Sequence, residues 1–142
     1  MTQIVISPIS ARKEKRELAP QTRVLIADDQ RSVREALRCL LTLSPQVEIV
    51  GEAADGRAAV RLVAERRPDV VLMDIQMPLL DGLEATRCIK EQWPGVRVII
   101  LTMYGRYQTA ALASGADMFL VKGCASEALQ DAILTQDRRS NH

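Results

Sequence analysis

The stretch "PDVVLMDIQMPLLDG", residues 68–82, joins an unbroken apolar run at 70–73 to one carboxylate, Asp74, then to Met77-Pro78 and an Asp81-Gly82 turn. Residues 70–73 are apolar on both parities, the pattern of a strand buried on both faces of a sheet. A buried strand gains nothing from an acid at its tip. Asp74 therefore either caps a following element or does chemistry, and the flanking sequence has to decide.

Outward from this stretch the chain has a rhythm. Five short apolar runs, "RVLIA", "VEIVGEA", "DVVLM", "VRVIIL" and "DMFLV", alternate with segments of helical spacing. In the first such segment Val33, Ala36, Leu37, Leu40 and Leu41 fall on one helix face. The second carries Ala59, Leu62 and Val63 and ends before Pro68, and the third runs from Asp81-Gly82 to the stop at Trp93-Pro94-Gly95. A short fourth covers about 108–114, and a fifth has Leu129, Ala132 and Ile133 in register. Alternating strands and helices imply right-handed crossovers and a parallel sheet covered on both faces. The charges within "VEIVGEA" suit an edge strand. The expected fold is a flavodoxin-like (βα)5 doubly wound α/β sheet of strand order 2-1-3-4-5, with function beyond the carboxyl ends of the strands.

Composition narrows the function classes. A chain of 142 residues fits one domain, and a net charge of +1 argues against a dedicated nucleic-acid or anionic-membrane partner. No apolar run approaches the ~20 residues of a membrane span, and "MTQIVISPIS" lacks the basic and apolar regions of a signal peptide. Cys39, Cys88 and Cys124 form no CxxC pair, which suits reduced thiols in a cytoplasm. The single histidine, His142, is the last residue, so histidine-based catalysis drops out. Residues 1–22, charge-dense and broken by Pro8 and Pro20, are expected to form a mobile extension. The domain is expected over 23–136, with 137–142 as a tail.

The strand tips collect one set of groups: Asp28 and Asp29 after the first, Asp74 after the third, Thr102 at the fourth and Lys122 after the fifth. Three carboxylates in one cleft repel one another and need a counter-charge. Oxygen ligands of this kind suit Mg²⁺, which prefers a few carboxylates and keeps its waters. A carboxylate beside that metal, with a lysine and a hydroxyl opposite, makes a phosphoryl-acceptor site. Taken singly the residues read more plainly. Asp28 or Asp29 could cap the next helix, Asp81 is an N-cap with no chemistry, and Phe119 is a core aromatic.

From about Arg23 to Leu134 the chain resembles the receiver domain of two-component response regulators. Its "LIADDQRSVREALRCLL", "VGEAADGRAAV", "RPDVVLMDIQMPLLDGLEATRCIK" and "VIILTMY" resemble the NarL/LuxR type. The resemblance implies that Asp74 is the phosphorylated residue, taking its phosphoryl group from a histidine kinase or phosphotransfer protein. Asp29 would ligate Mg²⁺ directly and Asp28 mainly through water, with Asp74 and the Gln76 backbone carbonyl completing the protein's share. Thr102 would bond the phosphoryl group, Lys122 would ion-pair with it, and Phe119 would be the switch aromatic. Gln76 and Tyr104 would flank the path of attacking water and tune the lifetime, Tyr104 obstructing it. Output would pass through residues 106–134, or through a homodimer on helices 1 and 5 formed on phosphorylation, and enzymatic activity would be self-directed only.

Departures from the family pattern are specific. Gly123 follows the lysine where many receivers have proline, Met103 stands where a small residue is usual, and the Thr102–Lys122 interval is short by about two residues. That interval puts the loop after the fourth strand and the first turn of the fourth helix in doubt. "TQDRRSNH" leaves no DNA-reading helix after Leu134, so direct DNA binding by this chain is not expected, and a truncated transcriptional regulator is the alternative to a stand-alone receiver. A pseudo-receiver would have lost an acid or the lysine, and this chain keeps them. A haloacid-dehalogenase-type phosphatase needs its Asp nucleophile after the first strand and a second Asp two residues on, a spacing absent from "ADDQRS".

Overall fold

The computed structural model describes residues 20–135; the expected tail at 137–142 and most of the expected extension, residues 1–19, lie outside them. Five parallel strands form one sheet of order β2-β1-β3-β4-β5. In chain order these are β1 (Thr22–Ala27), α1 (Arg31–Leu41), β2 (Val47–Ala53), α2 (Gly56–Arg66), β3 (Val70–Met73), α3 (Gly82–Gln92), β4 (Arg97–Thr102), α4 (Gln108–Ala113), β5 (Met118–Val121) and α5 (Ser126–Leu134). Thr22, the last residue of the expected extension, thus already belongs to the first strand.

Strand alternation divides the core into two layers. Leu25, Ala27, Val71, Met73, Val98 and Ile100 pack with α2, α3 and α4, while Val24, Ile26, Val70, Leu72 and Ile99 pack with α1 and α5. Both parities of β1, β3 and β4 are buried, as their unbroken apolar runs require. Full burial of one such side chain contributes about 1.5–3 kcal/mol, so these three strands are the rigid base from which the loops project. β2 is an edge strand, as its charges suggest. Opposite it, β5 is the other edge and is only half-buried at Phe119 and Leu120.

Loop chemistry sets the helix starts. Asp55 caps α2 by accepting from the Ala58 N–H at 2.7 Å, and Asp81 caps α3 by accepting from the Glu84 N–H at 2.9 Å. The short interval after Thr102 is taken up by a single 3-10 turn, Gly105–Tyr107, followed by a six-residue α4. The fourth helix survives, at less than two turns.

Candidate functional site at the carboxyl ends of the strands

Adjacent parallel strands end at one level, so the residues that follow them share one crevice. Asp29, Gln30, Val33, Asp74, Gln76, Thr102, Met103, Tyr104 and Lys122 line a cleft of about 310 Å³ there. The structure brings together Asp29, Asp74, Gln76, Thr102, Tyr104 and Lys122, drawn from four strand ends. Asp28 stands behind them, 2% exposed. Phe119 lies apart from the cleft, half-buried against the α2–α4 side of the core.

Neither Asp28 nor Asp29 caps α1, whose N-cap is Gln30 without a side-chain cap. Instead Asp28 Oδ1 accepts from the Gln30 N–H at 2.9 Å, and its Oδ2 meets Lys122 Nζ at 2.7 Å. Lys122 Nζ also lies 3.4 Å from Asp74 Oδ1. One ammonium therefore bridges two carboxylates from different strands. Asp74 Oδ1 accepts in addition from the Ile75 N–H at 2.9 Å. The Lys122 N–H donates to the Thr102 carbonyl at 2.7 Å, which ties β5 to the tip of β4.

The electrostatics follow from this crowding. Burial, and next the Asp28 charge, push the Asp74 carboxyl above the ordinary aspartate value, against the opposing pull of Lys122 and the Ile75 N–H. Burial works against the charged form of Lys122, yet its pairing with Asp28 and Asp74 outweighs it and raises the ammonium above the usual lysine value. The cleft is short of positive charge by more than one lysine can supply. Asp28, Asp29 and Asp74 each offer an oxygen within 4.8 Å of the others. An all-oxygen donor set with excess negative charge and an open mouth fits a hard divalent cation such as Mg²⁺.

Two supporting residues, Gly82 and Arg34, gave no sign of their role in the sequence. A Cβ on Gly82 would lie 1.8 Å from the Asp74 carbonyl oxygen, so the first turn of α3 packs directly on the Asp74 backbone. Arg34 donates to the Asp28 carbonyl at 2.7 Å and to Glu52 at 3.3 Å, bracing the β1–α1 loop. Gly123, where many receivers carry proline, sits at φ +92°. Proline is locked near −65° and cannot adopt that backbone, whereas glycine can. Pattern reading finds periodicity and motif spacing; close backbone approach and long-range contacts leave neither.

The fold and the cleft together are those of a known class. The family model of the response regulator receiver domain matches residues 24–134, and the chain belongs to that family. Its relatives include response regulators of the NarL/LuxR type. The transcriptional regulatory protein DegU of Brevibacillus brevis is 38% identical over 112 residues, covering 78% of this chain and 48% of that protein. The signal receiver domain of the response regulator NarL from Mycobacterium tuberculosis superposes with a TM-score of 0.75 at 32% identity, covering 82% of this chain and 99% of that one. A LuxR-family response regulator from Aurantimonas sp. SI85-9A1 gives a TM-score of 0.75 at 36% identity, over 80% of this chain and 82% of that one. The chain spans about half the length of the curated relatives it matches.

Proposed function

We propose that this domain is a phosphoacceptor switch in which Asp74 takes a phosphoryl group from the phosphohistidine of a kinase or phosphotransfer protein. The carrying observation is the placement of Asp74 in a cluster of three carboxylates with Asp28 and Asp29, 3.4 Å from Lys122 Nζ, at the open end of a buried strand. An Asp74 oxygen attacks phosphorus, the phosphorus–nitrogen bond of the donor breaks, and the electron pair returns to the donor imidazole. Asp28, Asp29, Asp74 and the Gln76 carbonyl are the groups that would hold Mg²⁺; when bound it neutralises oxygens of the transferring group. Lys122 and Thr102 supply the remaining charge and hydroxyl contacts. Enzymatic activity is confined to this self-modification and its reversal by water.

Output in this reading passes through protein surface. Thr102, buried at the tip of β4, moves towards the phosphoryl group, and Phe119 fills the space it leaves. Two surfaces suit such a signal. Leu112, Met118 and Val121 stand exposed around α4 and β5. An apolar groove of about 360 Å³ between α1 and α5 is lined by Leu37, Leu40 and Leu129, and shares Val33, Met103 and Lys122 with the acceptor cleft. The shared residues favour the α1–α5 side for a phosphorylation-dependent second copy.

The test is transfer from a phosphohistidine donor, with and without a metal chelator, in wild type and in Asp74→Asn. Label should enter wild type only, and only with Mg²⁺. Transfer that ignores the chelator, or label retained in Asp74→Asn, would overturn the assignment. The lifetime is expected to depend on Tyr104, 43% exposed at the cleft mouth: Tyr104→Ala should lose its phosphoryl group faster than wild type, because a bulky ring obstructs in-line water.

A further inference from the structure

Beyond β4 the chain lines the acceptor cleft with Met103 and Tyr104 and the adjoining groove with Tyr107. The Tyr104 and Tyr107 rings meet edge to face, with centroids 6.2 Å apart. The Arg106 guanidinium lies 4.7 Å from the Tyr104 centroid and 5.1 Å from that of Tyr107. One cation thus faces two rings, and the three side chains form a single cluster on the 3-10 turn. The Tyr107 N–H closes this turn on the Tyr104 carbonyl at 3.3 Å.

Tyr104 itself lines the acceptor cleft, and Tyr107 reaches it through Gln76. Gln76 Nε2 donates to Tyr107 Oη at 3.4 Å. Gln76 lines the acceptor cleft together with Asp74 and Tyr104, and lines the adjoining groove together with Asp29, Pro78 and Tyr107. A glutamine side chain has three rotatable bonds and, in an exposed setting, samples many rotamers. A hydrogen bond from its amide nitrogen to Tyr107 restricts that freedom and leaves the amide oxygen available as an acceptor.

We propose that Tyr107 is a positioning residue for loss of the phosphoryl group: its hydroxyl holds the Gln76 amide at the cleft mouth so that Gln76 Oε1 orients the attacking water. The inference rests on the phosphoacceptor reading of Asp74. In the step it assists, the water oxygen bonds to phosphorus and the bond from phosphorus to the Asp74 oxygen breaks. The electron pair returns to the Asp74 carboxylate, inorganic phosphate leaves, and the surplus proton passes to solvent. Gln76 takes no proton; it accepts a hydrogen bond from the water. Tyr104 and Tyr107 then act in opposite senses from one cluster, the first obstructing water and the second aligning it.

The test is a double-mutant cycle on decay of the loaded protein. Wild type, Tyr107→Phe, Gln76→Ala and the double variant are loaded with acetyl phosphate and Mg²⁺, freed of donor, and followed by intact mass, each relative to its own starting load. Tyr107→Phe keeps the ring and removes only the hydroxyl. It should slow decay by about two- to ten-fold, the range set by one neutral hydrogen bond. The double variant should decay no more slowly than Gln76→Ala alone. In nuclear magnetic resonance spectra of the unloaded protein, the Gln76 side-chain amide signal should shift in Tyr107→Phe. Unchanged decay in Tyr107→Phe, equal slowing with and without Gln76, or an unmoved Gln76 signal would each overturn the inference while wild type still loads. Failure of wild type to load would remove the phosphoacceptor reading, and the inference with it.

Discussion

Gly82 opens α3 with backbone where a side chain has no room. A methyl there would meet the Asp74 carbonyl oxygen at 1.8 Å and Ile75 Cα at 2.9 Å. Alanine would favour the helix by roughly 1 kcal/mol relative to glycine. The obstructing atoms are backbone of β3 and its exit, which cannot move without moving Asp74. Overpacking of this kind costs about 1–3 kcal/mol, so the clash should outweigh the propensity gain. Gly82→Ala should therefore lower the urea midpoint of unfolding, and an equal or higher midpoint would show that the approach is looser than the structure has it. Asp74 itself was legible in the sequence because it interrupts an apolar run. Gly82 was not, since an Asp-Gly pair reads as a turn or a cap whatever lies above it.

The helices between the strands depend on their caps to different degrees. α3 has an Asp81 cap and α2 an Asp55 cap, whereas α1 starts at Gln30 with no side-chain cap. Asp81→Ala should cost about 1 kcal/mol, the usual worth of such a cap, and should leave the cleft carboxylates where they are, since the hydrogen bond described for the Asp81 side chain is the one from the Glu84 N–H. Thermal unfolding of Asp81→Ala against wild type measures this; no loss of stability would mean that packing against α2 alone starts α3. The elements most legible from sequence were β3 and β4, whose continuous apolar runs admit few other placements, and α1, whose apolar face is complete. Least legible was the segment from Thr102 to Gln108. Its interval was visibly short, yet nothing in "MYGRYQ" announces a 3-10 turn, or that Tyr107 reaches Gln76 across 31 positions of sequence. Such a contact exists only once the β3 and β4 ends are side by side.

Across the whole molecule, sheet order is what makes the site. Placing β1 between β2 and β3, and β4 beside β3, gathers Asp28, Asp29, Asp74 and Thr102 at the carboxyl ends of the central strands, with Lys122 arriving from β5. The same order puts Met103 and Lys122 between the cleft and the α1–α5 groove, so a change at Asp74 has a short path to a surface. Phe119 is already half-buried, so its further burial contributes only about 1 kcal/mol, a bias of roughly five-fold in a two-state equilibrium. In the proposed switch, phosphoryl contacts at Thr102 and Lys122 would supply the rest. Self-association should therefore rise when beryllofluoride and Mg²⁺ mimic the loaded state, seen by sedimentation as growth of a dimer; an unchanged monomer would assign the output to a different protein partner.

The central claim is that Asp74 accepts a phosphoryl group with the help of the acidic cluster around it. Intact mass after incubation with acetyl phosphate and Mg²⁺ tests it most directly. Wild type should gain about 80 Da, the mass of one phosphoryl group, and Asp74→Asn should gain nothing. Equal gain in Asp74→Asn, or no gain in wild type with the metal present, would contradict it.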